Sequence, residues 1–443
     1  MRVLVIGASG KVGRAILKSL HARSKGDIEA VGTYFSHADP NLLHLDIGDH
    51  EQIRKVLLKH RPDVVVQCSA ITYAERCEAE PELAWRVNVE STGQLVEVCR
   101  DLGSKLVFIS SDYVFDGQRG NYREIDEPNP INLLGKTKVE GEKRVSKLPD
   151  HLIIRTAVVL DAALGSKSFF RQVVERLGRG ETITVPNDQV ENPTLASNLA
   201  DAMTELILQD EKGLFHIAGT TPIDRYNLTV RICDMLGLEE DLIRGVPSDS
   251  LVQKAKRPKN LALNIDKAQR SIKTTLLSLD AILNGLVKEY YTYLPQGLRV
   301  ALLRVHRDPR GTLTVLVSQG RPDAPHAEEI REVYVSDIPE RSIRRAGHKH
   351  NHTDEFFHVE LGTAKFVLVD DRREADPSHR PISIILSSNC PSVLFVPSGV
   401  YHALVSMKPS TRILSVASKP YNPKSPDEVK KELDAFGDEL NYR

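Results

Sequence analysis

The sequence predicts two domains of different class: a doubly wound α/β domain built on a parallel sheet, then a smaller all-β barrel. Three observations carry this. The chain has 443 residues, and a single hydrophobic core rarely serves more than about 250–300. From Met1 to about Tyr290, short β-branched runs alternate with longer stretches of helical period, as strands joined by helical crossovers do. From about Leu298 the helical period gives way to closely spaced strand-like runs punctuated by Pro, Gly, Asn and Asp. The expected division is 1–290, a linker at 291–297 where Tyr, Thr, Pro, Gln and Gly separate the two textures, and 298–443.

In the first domain the apolar runs place strands at Val3–Ile6, Glu29–Tyr34, Val64–Gln67, Leu106–Ile109 and Leu152–Ile154. In the second they place strands at Thr312–Val317, Phe366–Val369, Ser383–Leu386 and Ser392–Val396, and the polar segment Asp427–Phe436 is expected to be a helix. Lys and Arg number 59 against 60 Asp and Glu, a net charge of −1, which removes the broad positive field that nucleic acid binding needs. No apolar run reaches the roughly 18–20 residues of a membrane span, and the first strand breaks at Gly7 rather than continuing as a signal peptide would. A cytoplasmic protein with no membrane partner is expected. The five cysteines are scattered, with no C-x-x-C spacing, and read as reduced small residues.

Val3–Ile6 runs directly into Gly7-Ala-Ser-Gly10-Lys11-Val12-Gly13, and the following helix is apolar at Val12, Ile16, Leu17 and Leu20. Glycines there permit a tight turn and close backbone approach to a pyrophosphate, whose charge sits at the positive end of the helix. Gly7, Gly10, Lys11, Val12 and Gly13 are therefore expected to contact a dinucleotide. After the second strand, Tyr34-Phe35-Ser36-His37 offers neither the acid that holds a ribose 2′-hydroxyl nor an Arg for a 2′-phosphate. NAD and NADP both stay open.

Together with Leu45-Asp46-Ile47, Ser69-Ala70-Ile71 and Val87-Asn88-Val89, this spacing resembles the extended short-chain dehydrogenase/reductase family. Ser110-Ser111-Asp112-Tyr113-Val114-Phe115-Asp116-Gly117, Gly135-Lys136-Thr137-Lys138, Asn192-Pro193-Thr194 and Arg257-Pro258-x-Asn260 are similar to its dTDP-4-dehydrorhamnose reductase branch. That branch also holds the regulatory subunit of methionine adenosyltransferase. The resemblance implies a Rossmann-type domain in which Asp46 and Ile47 meet the adenine, the loop of Ser69 and Ala70 lies along the nicotinamide ribose, and Asn88 and Lys138 belong to the cofactor site. It further implies that Ser111 hydrogen-bonds the substrate carbonyl and that Lys138 lowers the pKa of a catalytic tyrosine. Leu134 stands where the branch has that tyrosine, and leucine carries no proton to give. General-acid help is worth about 10²–10⁴-fold, so either another acid acts, with Tyr113 and Tyr122 nearest in sequence, or the domain binds without efficient turnover.

In the second domain, His348-x-His350-x4-Glu355-x6-Gly362 is followed by Pro397-x-Gly399-x-x-His402. Residues two apart on a strand share a face, so His348 and His350 point together. Imidazoles with one carboxylate suit a borderline divalent ion such as Zn, Fe, Mn or Ni. The two half-motifs resemble the cupin superfamily, a jelly-roll barrel, which implies His348, His350, Glu355 and His402 as metal ligands, or His348 as a base in members that bind none. More loosely, Asp308-Pro-Arg310-Gly311, Asp370-Asp371-Arg372 and Tyr421-Asn-Pro423 are similar to dTDP-sugar 3,5-epimerases and 3,4-ketoisomerases. The joint expectation is a bifunctional enzyme in which the first domain reduces a nucleotide-linked 4-keto-6-deoxy sugar with NAD(P)H and the cupin epimerises or isomerises it. A homodimer is expected. The alternatives are a non-catalytic dinucleotide-binding regulatory domain tethered to a metal-binding cupin, and an iron dioxygenase.

Overall fold

The computed structural model describes residues 1–24, 26–292, 298–308, 311–316, 330–370, 372 and 381–442. Packing divides the chain into two compact units. One comprises Met1–Asp161, Val185–Asn227 and Gly245–Leu286; the other comprises Ala162–Thr184, Leu228–Arg244 and Val287–Arg443. Residues 293–297 of the expected linker, Val317, and Pro309, Arg310 and Asp371 of the loosely matched pieces lie outside the described residues.

The first unit is built on β1 (Arg2–Ile6), β2 (Glu29–Tyr34), β3 (Leu43–His44), β4 (Val64–Gln67), β5 (Lys105–Ser111) and β6 (His151–Thr156). With Gly213–His216 they form a seven-stranded parallel sheet in the order Gly213–His216, β6, β5, β4, β1, β2, β3. All four residues of β4 are buried, as a strand covered on both faces requires. The five strands predicted for this domain are all present. Helices α1 (Lys11–Arg23), α2 (His50–His60), α3 (Ala74–Ala79), α4 (Pro81–Trp85), α5 (Ser91–Leu102) and α6 (Leu133–Val145) connect them. The two faces of the sheet bury separate apolar clusters, one around Val5, Val66, Val107 and Met203, the other around Leu4, Val65, Leu95 and Phe108. This is a Rossmann-like domain.

A buried ion pair locks α6 to the sheet. Arg155 of β6 donates from Nε and Nη2 to Oε1 and Oε2 of Glu142 at 2.9 and 2.7 Å. Ser110 Oγ, near the end of β5, donates to the same Oε1 at 2.5 Å. Such a two-pronged contact fixes orientation as well as distance.

The second unit holds two five-stranded antiparallel sheets. One runs in the order Arg299–Leu302, Ser392–Val396, Glu355–Leu361, Thr411–Ala417, Glu332–Ile338; the other runs Ile382–Ser387, Thr363–Asp370, Val400–Ser406, Arg344–His350, Glu428–Lys430. They are the sheets of a cupin-type jelly roll. Phe357, Phe366, Leu394 and Val405 are among its buried side chains. Lys365, only 1 % exposed, is tolerated because its ammonium donates to the carbonyls of Gly178 and Asn441 at 2.8 and 2.9 Å.

One element is corrected. Asp427–Phe436 is not a helix: Glu428–Lys430 forms an edge strand against Arg344–His350, and a 3₁₀ segment follows at Leu433–Leu440. The edge of a sheet supplied backbone partners that outweighed a weak local preference. The cysteines are free, as expected, and burial pushes the thiols of Cys68, Cys99 and Cys233 up to about 12, which disfavours their thiolates.

The glycine-rich turn shows why it needs glycine. A Cβ on Gly13 would stand 2.3 Å from the Gly7 carbonyl oxygen and 2.8 Å from the Ala8 Cα. Gly13→Ala must push α1 off the turn and is expected to cost about 1–3 kcal/mol. The change should appear as a lower urea midpoint with an unchanged slope.

Candidate active sites in the two units

At the carboxyl edge of the parallel sheet lies a cavity of about 510 Å³, where ligands of open α/β sheets bind. Gly7, Asp46, Ile47, Ser69 and Ala70, five of the residues expected at a cofactor, line it, with Tyr34 and Phe35 from the end of β2. Arg76 and Arg86 also line it, two cations that sequence inspection near β2 missed because they arrive from α3 and from the turn after α4. The N-terminus of α1 opens on Gly10 with no side-chain cap and no acid in its first turn. Its backbone donors are therefore available to an anion. Together with the close approach at Gly13 and the unpartnered, buried Ser69 Oγ, the turn fits a dinucleotide pyrophosphate.

Gly10, Lys11, Val12, Gly13, Asn88 and Lys138 do not line that cavity. Lys11 donates to the Val159 carbonyl at 3.0 Å, and its burial lowers its pKa. Val12 packs against the core. Asn88 sits in a π-helical turn (Arg86–Glu90) and clamps the Ser69–Ile71 loop: its Oδ1 accepts from Ile71 N and its Nδ2 donates to Ile71 O, at 2.8 and 2.9 Å. Lys138 Nζ donates to the Ile109 carbonyl at 2.8 Å, and burial lowers its pKa to about 8.

The structure separates the two tyrosines offered as substitutes for Leu134. Tyr122 stacks on Phe115 at 4.2 Å and donates to Asp116, a packing role. Tyr113 accepts from Arg257 Nη1 at 2.9 Å; burial, then Glu191, push its hydroxyl up to about 12, a poor acid. Leu134 itself is 4 % exposed among Ile71, Ala74, Cys77, Ala84 and Ala255. Its place has become part of an apolar cluster.

Ser111 ends β5, and its hydroxyl donates to Oδ1 of Asp112 at 2.8 Å. Sequence reading passed over Asp112. It is 2 % exposed, and its Oδ2 has no hydrogen-bond partner. Burial and then the Glu191 carboxylate raise its carboxyl well above the ordinary range. The only advance signal was its place beside Ser111.

In the barrel, His348, His350 and His402 come from one sheet and Glu355 from the other. A bulge between Ala346 (φ 64°) and His348, with Gly347 (φ 92°) as the extra residue, shifts the register so that His348 pairs directly with His402. A Cβ on Gly347 would meet Lys431 O at 3.0 Å and the Leu433 side chain at 2.8 Å. Glu355, 3 % exposed, accepts from the Tyr334 hydroxyl at 2.8 Å on Oε1. Its Oε2 lies 3.0 Å from His402 Nε2 and 3.4 Å from His350 Nε2, yet makes no well-aligned hydrogen bond to either. Burial pushes this carboxyl up, but His402, His350 and Tyr334 outweigh it and hold it at about 2. Burial and then His402 lower His348 to about 4. A neutral His348 imidazole beside an ionised Glu355 carboxylate is in the state that binds a divalent cation. His348, Glu355 and His402 bring their donor atoms within 4.8 Å of one another; His350 falls outside that triad, although its Nε2 is 3.2 Å from that of His348. His358 is buried and bonds to the Ser392 carbonyl at 2.9 Å, a packing role.

Comparison with known proteins gives two family matches. The RmlD substrate binding domain model matches residues 1–292, and the dTDP-4-dehydrorhamnose 3,5-epimerase model matches residues 294–437. A probable low-salt glycan biosynthesis reductase of Haloferax volcanii is 32 % identical over 301 residues, 66 % of this chain and 99 % of its own. Methionine adenosyltransferase 2 subunit beta of Danio rerio is 31 % identical over 276 residues (60 % and 84 %), and a dTDP-4-keto-6-deoxy-D-glucose reductase of Streptomyces niveus 34 % over 268 (60 % and 89 %). Among solved structures, a dTDP-4-dehydrorhamnose reductase from Bacillus anthracis in complex with NADP is similar with a TM-score of 0.58 at 27 % identity, covering 65 % of this chain and 99 % of that one.

The packing around Leu134 makes a specific prediction. Leu134→Tyr forces a phenol into a filled cluster and is expected to destabilise by about 1–3 kcal/mol, read as a lower melting temperature.

Proposed function

The chain belongs to the RmlD substrate binding domain family, and from that premise we propose a bifunctional enzyme that reduces a dTDP- or UDP-linked 4-keto-6-deoxy sugar and epimerises or isomerises it in the barrel. Family membership makes it a sugar-nucleotide oxidoreductase and isomerase; the coupling of both activities on one substrate is our reading. The reductase half lies within 1–290 and the cupin half within 298–443, joined by 291–297. What supports the first half is the convergence of an uncapped helix N-terminus, a 510 Å³ cavity and Ser111 at one sheet edge.

Bound NADP(H) supplies and accepts hydride. NADP is favoured over NAD by the absence of an acid from Tyr34-Phe35-Ser36-His37, by the two arginines lining the cavity and by the relative solved with NADP. Gly7, Gly10 and Gly13 shape the pyrophosphate turn, Asp46 and Ile47 face the adenine, and the loop that Asn88 clamps carries Ser69 and Ala70 to the ribose. Lys11 and Val12 fix the start of α1. Ser111 holds the substrate carbonyl oxygen, and Lys138 places a positive charge beneath the site. Tyr113 is a wall rather than an acid.

In the barrel, His348, Glu355 and His402 would hold a divalent cation, which would supply Lewis-acid polarisation of the sugar ketone. The sequence expectation made His348, His350, Glu355 and His402 all ligands, with His348 the base where no ion binds. The triad geometry supports the reverse for His350: standing outside the triad with its Nδ1 unpartnered, it is the imidazole placed to take the acidic proton beside the ketone. The exposed Val333, Tyr334 and Val335 lie on an edge strand of the barrel and favour a homodimer through that edge. Among the described residues no helix is long and apolar enough to cross a membrane, and a cytoplasmic location is part of the reading.

Purified protein should oxidise NADPH only when the 4-keto-6-deoxy sugar nucleotide is present, and absence of that dependence would leave the regulatory reading that buried Leu134 favours. Solvent deuterium should enter the sugar ring beside the ketone, and His350→Ala should abolish that exchange while retaining metal. His402→Ala should lose bound metal by elemental analysis; retained metal would remove the triad as its site.

A further inference from the structure

Hydride addition to a ketone leaves a negative oxygen that must be protonated, and Leu134 cannot do it. Ser111 reaches the carbonyl oxygen, but a hydroxyl that gives up its proton must be resupplied at once. Asp112 is the neighbour able to do so. Its Oδ1 is 2.8 Å from Ser111 Oγ, its Oδ2 is buried without a partner, and the side chain is 2 % exposed. An ionised carboxylate would have only the Ser111 hydroxyl and the Tyr113 amide to replace water, with Oδ2 left unpartnered, and burial favours the neutral acid. The groups facing it are divided, and burial and Glu191 outweigh those that favour the anion. Glu191 disfavours a second negative charge; Arg225, which opposes this, is paired with Glu191 at 2.8 Å. Tyr113 follows in the chain, with its hydroxyl held by Arg257.

We propose that Asp112 is the proton reservoir of the reductase site: when substrate binds, the Ser111 O–H turns from Asp112 Oδ1 to the substrate oxygen, and the Asp112 carboxyl then donates to Ser111 Oγ and passes its proton there as Ser111 gives up its own. This rests on the reductase reading above. The carbonyl carbon gains a C–H bond from the hydride of a reduced nicotinamide dinucleotide, and the π pair moves to oxygen. That oxygen takes the Ser111 proton, and Ser111 takes the Asp112 proton. The products are the alcohol, the oxidised dinucleotide and the Asp112 carboxylate, which recovers a proton from water. Asp112 acts through Ser111 and is a positioning and supplying residue rather than one that touches substrate.

Two measurements test this. In the ligand-free protein, the infrared difference between wild type and Asp112→Asn should show the C=O stretch of a protonated carboxyl at pH 7, shifted by ¹³C-aspartate labelling; its absence overturns the proposal. In single-turnover reduction, Asp112→Asn keeps a hydrogen-bond partner for Ser111 but supplies no proton. It should slow hydride transfer about 10²-fold or more, with KM little changed, and should remove the fall in rate that wild type shows as pH rises and Asp112 ionises. An unchanged rate and pH profile in Asp112→Asn, with an active wild type, overturns the relay alone, whereas a wild type that never reduces the keto sugar overturns the reductase reading. Should Asp112→Asn fail to fold, Ser111→Ala serves: the infrared band should persist while the pH dependence disappears, and a surviving pH dependence counts against the relay.

Discussion

The arrangement of the reductase site depends on the buried Glu142–Arg155 pair. α6 carries Leu134, Lys138 and Glu142 at four-residue intervals, on one face of the helix. Clamping Glu142 between Arg155 and Ser110 therefore sets the rotation of the whole face against the ends of β5 and β6. Removing one partner of such a pair would leave a buried charge, at a cost of about 3–5 kcal/mol. His216, beside Arg155, is held neutral, its pKa lowered to about 3 by burial and then by that guanidinium. The pair thus keeps its balance without a third charge.

The two candidate centres show burial leading to opposite ends. Desolvation raises the carboxyls of both Asp112 and Glu355. What faces them decides the outcome. Asp112 meets another carboxylate and an already paired arginine, and the neutral acid is favoured; Glu355 meets imidazoles and a phenol, and the anion wins. On our proposals, the first would give a proton and the second would hold a cation.

Much of this was legible in the sequence, for local reasons. The glycine turn was readable because its constraint is a backbone contact within one strand–turn–helix unit. That His348 and His350 share a face was readable because strand parity fixes it, whereas His402 was placed beside them by the Pro397-x-Gly399 turn and the cupin resemblance. The ionisation of Asp112 was not, since it depends on Glu191, which arrives from a distant segment. The strand Glu428–Lys430 was hidden because a polar segment at a sheet edge takes its conformation from the strand it joins. Lys11 and Asn88 carry the residue types of a cofactor site, yet their polar atoms are engaged by backbone carbonyls and amides of the protein itself. Pattern alone does not separate a residue that meets a ligand from one that braces the loop that does.

The bulge at Ala346 and Gly347 makes the barrel's inner chemistry a matter of phase. Because side chains alternate along a strand, one residue more or fewer at that kink would swing His348 and His350 to the outer surface. The sheet ladder and apolar interior could survive such a slip. Chain length at a single point thus works as a silent toggle between a barrel whose histidines face inward and one whose interior is inert, and relatives that keep every histidine could still have turned them outward.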